Sequence, residues 1–220
     1  MGHRNIKAVI FDLDGTLADS LESIAYCANT ALERLGYDGF DKEDYKQFAG
    51  DGAKKLLERC LLRRGDTQLA RFSAFEKEYR ELFGKYCTYH VKPYDGIVSL
   101  LCELKSRGIC LAVLSNKPHE RTMEVVQYLF GTECFDLIVG QREGLKRKPA
   151  PDGVYEIAEK MGIPVSQFAY VGDTNTDMQT GKGAGAFTVG VLWGFRDRQE
   201  LEENHADLII GRPDELLAHI

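Results

Sequence analysis

The residues able to do chemistry fall into four short groups. Asp12-Leu13-Asp14-Gly15-Thr16 sets two carboxylates two residues apart, with a hydroxyl behind them, directly after the apolar run Ala8-Val9-Ile10-Phe11. Ser115-Asn116 closes a second apolar run, Ile109 to Leu114. Lys148 stands before Pro149, with Pro151 two residues further on, so the backbone around its ammonium is stiff. Asp173-Thr174-Asn175-Thr176-Asp177 follows a third run, Phe168 to Val171, closed by Gly172. Paired acids behind a strand can be an Asx turn capping the next helix, or part of a calcium loop. The calcium pattern D-x-[DN]-x-[DN]-G fails at the first cluster, where Gly15 takes the fourth position and the next acid is Asp19. At the second cluster Met178 replaces the required glycine and Ala184 the terminal glutamate.

Three or four carboxylates at one site repel one another unless a cation neutralises them. An all-oxygen set on rigid strand ends favours Mg²⁺. Magnesium in turn invites a phosphate. Thr16, Ser115, Asn116 and the amides of Leu13 to Gly15 can donate hydrogen bonds to phosphoryl oxygens, while Lys148 supplies a fixed positive charge.

The elements that must position these groups follow from periodicity. Lys7 to Asp12, Ile109 to Leu114 and Phe168 to Val171 read as short strands buried on both faces. Further strands are predicted at Leu137 to Val139, Phe187 to Leu192 and Asp207 to Ile210. Helical patterns follow the strands, which predicts an α/β, Rossmann-like three-layer core with a parallel sheet and right-handed crossovers. Asp12, Ser115 and Asp173 would then converge beyond the carboxyl ends of the strands. Between the first two strands the pattern is helical throughout. Leu21, Ile24, Ala28, Ala31, Leu32 and Leu35 share one face before Gly36; Leu69, Phe72, Phe75, Tyr79, Leu82, Phe83 and Tyr86 form a second stripe. Gly50-Asp51-Gly52 interrupts between them. The chain is therefore divided into a core of residues 1–18 and 91–220 and an inserted helical domain over 19–90.

Composition narrows the classes of function. Among 220 residues, 28 Lys and Arg against 34 Asp and Glu give a net charge of −6, and the densest basic run is Lys146-Arg147-Lys148, which argues against a nucleic-acid partner. No apolar stretch approaches a membrane span, and Asp12, Asp14 and Asp19 follow the only early apolar run, so neither membrane nor secretory signal is expected. Six cysteines without a C-x-x-C pair read as reduced, mostly buried thiols of a cytoplasmic protein. The scattered His3, His90, His119, His205 and His219 give no zinc spacing.

Taken in order, Asp12-x-Asp14-Gly15-Thr16-Leu17, Leu114-Ser115-Asn116-Lys117, Lys148-Pro149-Ala150-Pro151 and Gly172-Asp173-x-x-x-Asp177 resemble the four motifs of the haloacid dehalogenase superfamily. The helical insertion is similar to that family's C1-type cap. Phe48-Ala49-Gly50-Asp51-Gly52-Ala53 with Leu56-Leu57-Glu58-Arg59 resembles the phosphoglycolate phosphatases within it, although Gly-Asp-Gly before a helix also serves as a turn and N-cap.

The resemblance implies a two-step phosphoryl transfer. Asp12 would be the nucleophile and Asp14 the general acid and base. Asp12, the Asp14 backbone carbonyl and Asp173 would ligate Mg²⁺, and Asp177 would hold that shell. Ser115, Thr16 and Lys148 would stabilise the equatorial oxygens. An acid at position 14 suits a phosphomonoester, whose alkoxide needs a proton. The loop amides near Gly52, with Lys54, would meet the carboxylate of a small phosphorylated metabolite such as 2-phosphoglycolate. A sugar-phosphate mutase, a pyrophosphatase and an inactive binding module are the alternatives. Neither the preferred phosphomonoester nor the oligomeric state is encoded in a readable pattern.

Overall fold

The computed structural model describes residues 5–220; His3 lies outside them. Six parallel strands form the central sheet: β1 (Ala8–Phe11), β4 (Cys110–Pro118), β5 (Leu137–Gln141), β6 (Phe168–Gly172), β7 (Phe187–Val191) and β8 (Leu208–Ile210), in the order β5-β4-β1-β6-β7-β8. β1 is central, with all four residues buried. Its alternation divides the core. Val9 and Phe11 join Leu111, Val113, Ala169 and Val171 on one face, beneath α5 (Ile97–Ser106) and α6 (His119–Phe130). Ala8 and Ile10 join Ala112, Leu114, Phe168 and Tyr170 on the other, beneath α7 (Asp152–Met161). Helices α8 (Asn175–Ala184) and α9 (Arg198–Glu203) complete the layers, giving the three-layer Rossmann-like core.

All six predicted strands are present, with one difference in extent. β4 was expected to stop at Leu114; it runs to Pro118, with its register against β5 broken between Leu114 and Pro118. Ser115 and Asn116 therefore lie on an irregular strand end rather than in a turn. The Asn116 side chain meets the backbone of Lys148 there, accepting from its N–H at 3.0 Å and donating to its carbonyl at 3.2 Å.

Between β1 and β4 the chain leaves the sheet through β2 (Ala18–Asp19) and returns through β3 (Lys92–Pro93). These two pair antiparallel, Ala18 opposite Pro93 and Asp19 opposite Lys92. Everything between them that is regular is helical: α1 (Leu21–Arg34), α2 (Tyr45–Phe48), α3 (Ala53–Arg63) and α4 (Phe72–Tyr86). The stripe of α1 is buried from Leu21 to Leu32 and packs with Phe75, Tyr79, Leu82 and Phe83 of α4. Two residues of the predicted α4 stripe stand apart. Leu69 precedes the helix in a turn with φ +53°, because the Asp66 carboxylate accepts the Ala70 and Arg71 N–H groups and holds the chain non-helical there. Tyr86 is exposed. The cysteines also differ from expectation: all six are free, but only Cys27, Cys60 and Cys87 are buried, and Cys102 is exposed.

The outer strands are tied by Asp207, whose carboxylate accepts from Thr188 N (2.9 Å) and Oγ1 (3.0 Å) and pairs with Lys182. Burial raises its pKa, but the Lys182 ammonium and the Thr188 donors outweigh that and leave it below the ordinary value. A depressed carboxylate stabilises the fold fully above its unfolded pKa, about 4, and loses that contribution as pH falls through the folded value. Urea midpoints of Asp207→Asn should therefore lie below those of the parent at pH 7 and converge with them by about pH 3.

Candidate active site

Because β1 pairs in register with β4 and β6, Phe11 opposite Val113 and Val171, their carboxyl ends finish side by side. Asp12 leaves β1, Ser115 lies near the end of β4, and Asp173 follows β6. Oxygens of Asp12, Asp173 and Asp177 lie within 4.8 Å of one another, and all three residues are buried. Lys148 reaches in from the opposite side, its Nζ 2.7 Å from both Asp12 Oδ1 and Asp177 Oδ1.

Each carboxylate is held by local structure. Asp177 opens α8 in a capping box: its Oδ2 accepts from Thr174 Oγ1 (2.7 Å) and Thr174 N (3.1 Å), while Thr174 caps the Asp177 amide. Asp173 accepts from Thr16 Oγ1 at 2.9 Å and from Phe195 N at 2.8 Å. It is packed so closely that a Cβ on Gly15 would stand 2.2 Å from its Oδ2, and φ +91° at Gly15 requires glycine independently.

Burial pushes the Asp12 carboxyl well above the ordinary range. Lys148 pulls against this, and the charges of Asp177 and Asp173 add to it. Asp173 is pushed up to about 7, by burial first and Asp177 next. Lys148 is held above its ordinary range although burial opposes it, because Asp12 and Asp177 favour the ammonium. Three acids against one lysine leave negative charge uncompensated in a buried place. The all-oxygen donor set therefore fits a hard divalent cation.

The Asp14 carboxylate is apart from this cluster. Its Oδ1 accepts from Ser20 Oγ at 2.5 Å and Lys117 Nζ at 2.6 Å, and the Lys117 side chain is only 4% exposed. Asp12, Asp14, Ser115, Asn116 and Lys117 form one side of a cavity of about 310 Å³. Gly50, Gly52, Leu56, Leu57, Tyr79 and Phe83 of the helical insertion line its other side. Ser115 Oγ accepts from Lys117 N at 3.2 Å, which leaves the hydroxyl proton available to the cavity.

Several predicted contacts are redirected. The Thr16 hydroxyl is spent on Asp173 rather than facing a phosphate, and the Gly15 amide donates to the Ala18 carbonyl at 3.0 Å, because the chain doubles back into β2. Lys148 points at Asp12 and Asp177. Lys54 lines the cavity, but its side chain is 62% exposed and its ammonium lies 4.0 Å from Glu58.

Other residues carry contacts that the sequence reading left unassigned. Lys117, which only ends a motif in the sequence, holds Asp14. Asp51, read as part of a turn, accepts from Thr176 Oγ1 at 2.6 Å and pairs with Arg59, so the insertion loop is fastened to α8. Arg196, half-buried but with its side chain only 7% exposed, donates to the carbonyls of Ala49 and Lys46. The Phe195 amide and Arg196 lie just past the predicted strand Phe187 to Leu192, in a loop that carries no motif residue.

If the cluster holds a cation, the Thr16 hydroxyl orients one of its ligands. Thr16→Val should weaken Mg²⁺ binding about tenfold, measured by calorimetric titration.

Comparison with known proteins agrees with this geometry. Residues 9–191 match the haloacid dehalogenase-like hydrolase family. The phosphoglycolate phosphatase of Aquifex aeolicus is 34% identical over 216 residues, covering 96% of this chain and 95% of that one. That of Neisseria meningitidis is 34% identical over 225 residues, covering 98% and 94%. The crystal structure of a candidate phosphoglycolate phosphatase from Lactobacillus delbrueckii subsp. bulgaricus superposes with a TM-score of 0.90 at 30% identity, covering 98% of this chain and 97% of that one. With these relatives matched along nearly its whole length, the chain belongs to the haloacid dehalogenase-like hydrolase family, on its phosphatase branch.

Proposed function

We propose that this phosphatase is a Mg²⁺-dependent phosphomonoester hydrolase that works through a phosphoaspartate on Asp12, and that its substrate is 2-phosphoglycolate or a similar small phosphorylated metabolite. The observation that carries the reading is the buried Asp12–Asp173–Asp177 cluster opening on a cavity of about 310 Å³ whose wall includes Asp14. Residues 19–90 act as a cap over the core that ends at 18 and resumes at 91. The names of the relatives support the choice of substrate.

Asp12 and Asp173, with the Asp14 backbone carbonyl, would hold the metal, and Asp177 would fix its surroundings together with Lys148. Bound Mg²⁺ supplies the charge that lets an anionic carboxylate approach an anionic phosphoryl group. One Asp12 oxygen attacks phosphorus opposite the leaving oxygen, forming the acyl phosphate bond as the ester P–O bond breaks. Asp14 passes a proton to the departing alkoxide. It then takes a proton from water, which attacks phosphorus and releases Asp12 and orthophosphate.

Lys117, 2.6 Å from Asp14, orients that carboxylate towards the leaving group. Ser115 donates to an equatorial oxygen from the cavity wall. Lys148 keeps Asp12 placed and balances its charge. No described helix is long and apolar enough to cross a membrane, and the six free thiols support a cytoplasmic setting.

Two tests address the chemistry. Asp12→Asn keeps the shape but removes the attacking charge and should lower kcat by about three orders of magnitude or more; activity within tenfold of the parent would exclude the phosphoaspartate. EDTA should abolish phosphate release and Mg²⁺ restore it, while Ca²⁺, which prefers more ligands at longer distances, should support little. On a panel of phosphomonoesters, 2-phosphoglycolate should rank first by kcat/KM; a nucleotide or large sugar phosphate at the top would replace the substrate assignment.

A further inference from the structure

Arg147 is a cation at the cavity that the chemistry above does not use. It lines the wall beside Asn116, and among the described residues its guanidinium has neither an ion-pair partner nor a hydrogen bond. The backbone next to it is fixed: Asn116 Oδ1 accepts the Lys148 N–H at 3.0 Å and Asn116 Nδ2 donates to the Lys148 carbonyl at 3.2 Å. Lys148 turns inward to Asp12 and Asp177. The Arg147 side chain instead reaches the insertion, where a Cβ on residue 52 would stand 3.0 Å from its Nη1 and 3.3 Å from the Asn116 carbonyl oxygen. Glycine at 52, with φ +84°, keeps that space open for the guanidinium.

Two of the neighbouring cations are engaged. Lys117 is paired with Asp14, and Arg121 with Glu124. Arg80, on α4, also lines the cavity and has no ion pair or hydrogen bond among the described residues, but unlike Arg147 it is not tied in sequence to the Asn116–Lys148 anchor or packed against Gly52. Asp14, Glu76 and Glu120 all contribute acid to the walls, so a substrate bearing a second anion would be repelled unless a free cation met it.

We propose that Arg147 is a specificity-determining residue that binds a carboxylate carried by the leaving group. This rests on the phosphomonoesterase reading. In-line attack by Asp12 directs the leaving oxygen towards Asp14 and the cavity, so a carboxylate one carbon beyond that oxygen lies on the side where Arg147 closes against Gly52. A guanidinium forks onto a carboxylate through two parallel N–H donors, which an ammonium cannot do. The predicted role of Lys54 passes in this view to Arg147: both are exposed, but the Lys54 ammonium lies 4.0 Å from Glu58, whereas the Arg147 guanidinium has no acid partner among the described residues.

The test compares 2-phosphoglycolate with ethyl phosphate, which has the same chain length without the carboxylate, in the parent, Arg147→Met and Arg147→Lys. The parent should favour 2-phosphoglycolate by more than tenfold in kcat/KM. Arg147→Met should cut that ratio at least tenfold, chiefly through KM for 2-phosphoglycolate, and Arg147→Lys should restore part of it. Both esters are measured on one preparation, so partial unfolding scales both rates and leaves the ratio alone. A parent ratio near one, or a ratio that does not move in Arg147→Met, overturns the carboxylate subsite while leaving the phosphatase reading standing. A parent that turns over neither ester overturns both.

Discussion

Lys148 Nζ lies 2.7 Å from Asp12 and from Asp177, and Asp173 completes a set of carboxylates within 4.8 Å of one another. Charges taken out of water at this spacing are expensive unless every one is paired or hydrogen-bonded. Much of the surrounding structure answers that requirement. The capping box of α8 serves Asp177, the Thr16 hydroxyl and Phe195 amide serve Asp173, and Asn116 anchors the segment that carries Lys148. No buried side-chain polar atom among the described residues is left without a partner. The residual negative charge is what a divalent cation would neutralise, and it explains why burial and mutual repulsion raise Asp12 and Asp173 rather than leaving them at ordinary values.

This cluster draws on segments far apart in sequence, so its geometry depends on the parallel sheet. With both faces buried, a one-residue slip of β1 would exchange Val9 and Phe11 for Ala8 and Ile10 against helices of the wrong size. Register is thereby fixed by packing, and the acids inherit it. The close approaches add a second constraint: a Cβ on Gly172 would stand 2.2 Å from Asp177 Cβ, and one on Gly194 would stand 2.3 Å from Asp173 Cβ. The site is as much a product of absent side chains as of present ones.

What the sequence revealed follows from this physics. Buried strands leave continuous apolar runs, so the six strands and the acids ending them were legible, as was the helical character of the insertion. Asp12, Asp14, Ser115, Asn116, Lys148, Asp173 and Asp177 were found because their types and order are unusual together. Partners across space were not. Thr16 lies beside two candidate acids in sequence, yet its hydroxyl goes to a third, 157 residues away. Asp51 looked like turn chemistry because its partners, Thr176 and Arg59, belong to other elements. Lys54 looked useful because it follows a glycine loop, but its position in the first turn of α3 carries its ammonium back towards Glu58 and solvent. That i,i+4 pairing lies within one helix and is readable from spacing, whereas the directions of Lys117 and Lys148 are set by tertiary packing, which no spacing rule contains.

The two ends of the helical insertion are held by different forces, and this bears on how a small substrate enters and leaves. At the crossing strands, one apolar cluster runs without a break from the sheet face through Leu13, Leu17, Ala18 and Leu21 into α1 and α4. At the other end the loop around Gly50 is fastened by polar contacts: Asp51 to Thr176, Asn116 to the Gly50 carbonyl at 3.3 Å, and Arg196 to the Ala49 carbonyl at 2.9 Å. Hydrogen bonds exchange with water at a small net free-energy change of about 1 kcal/mol each, whereas separating apolar surface costs about 25 cal/mol per Å². Opening should therefore begin at the loop and pivot at β2 and β3. Leu56, Leu57, Tyr79 and Phe83 set an apolar wall on the insertion side of this cavity of about 310 Å³, which stays partly open. On the proposed reading, a site built this way would select by the apolar wall it presents and by the charges that remain unpaired beside it.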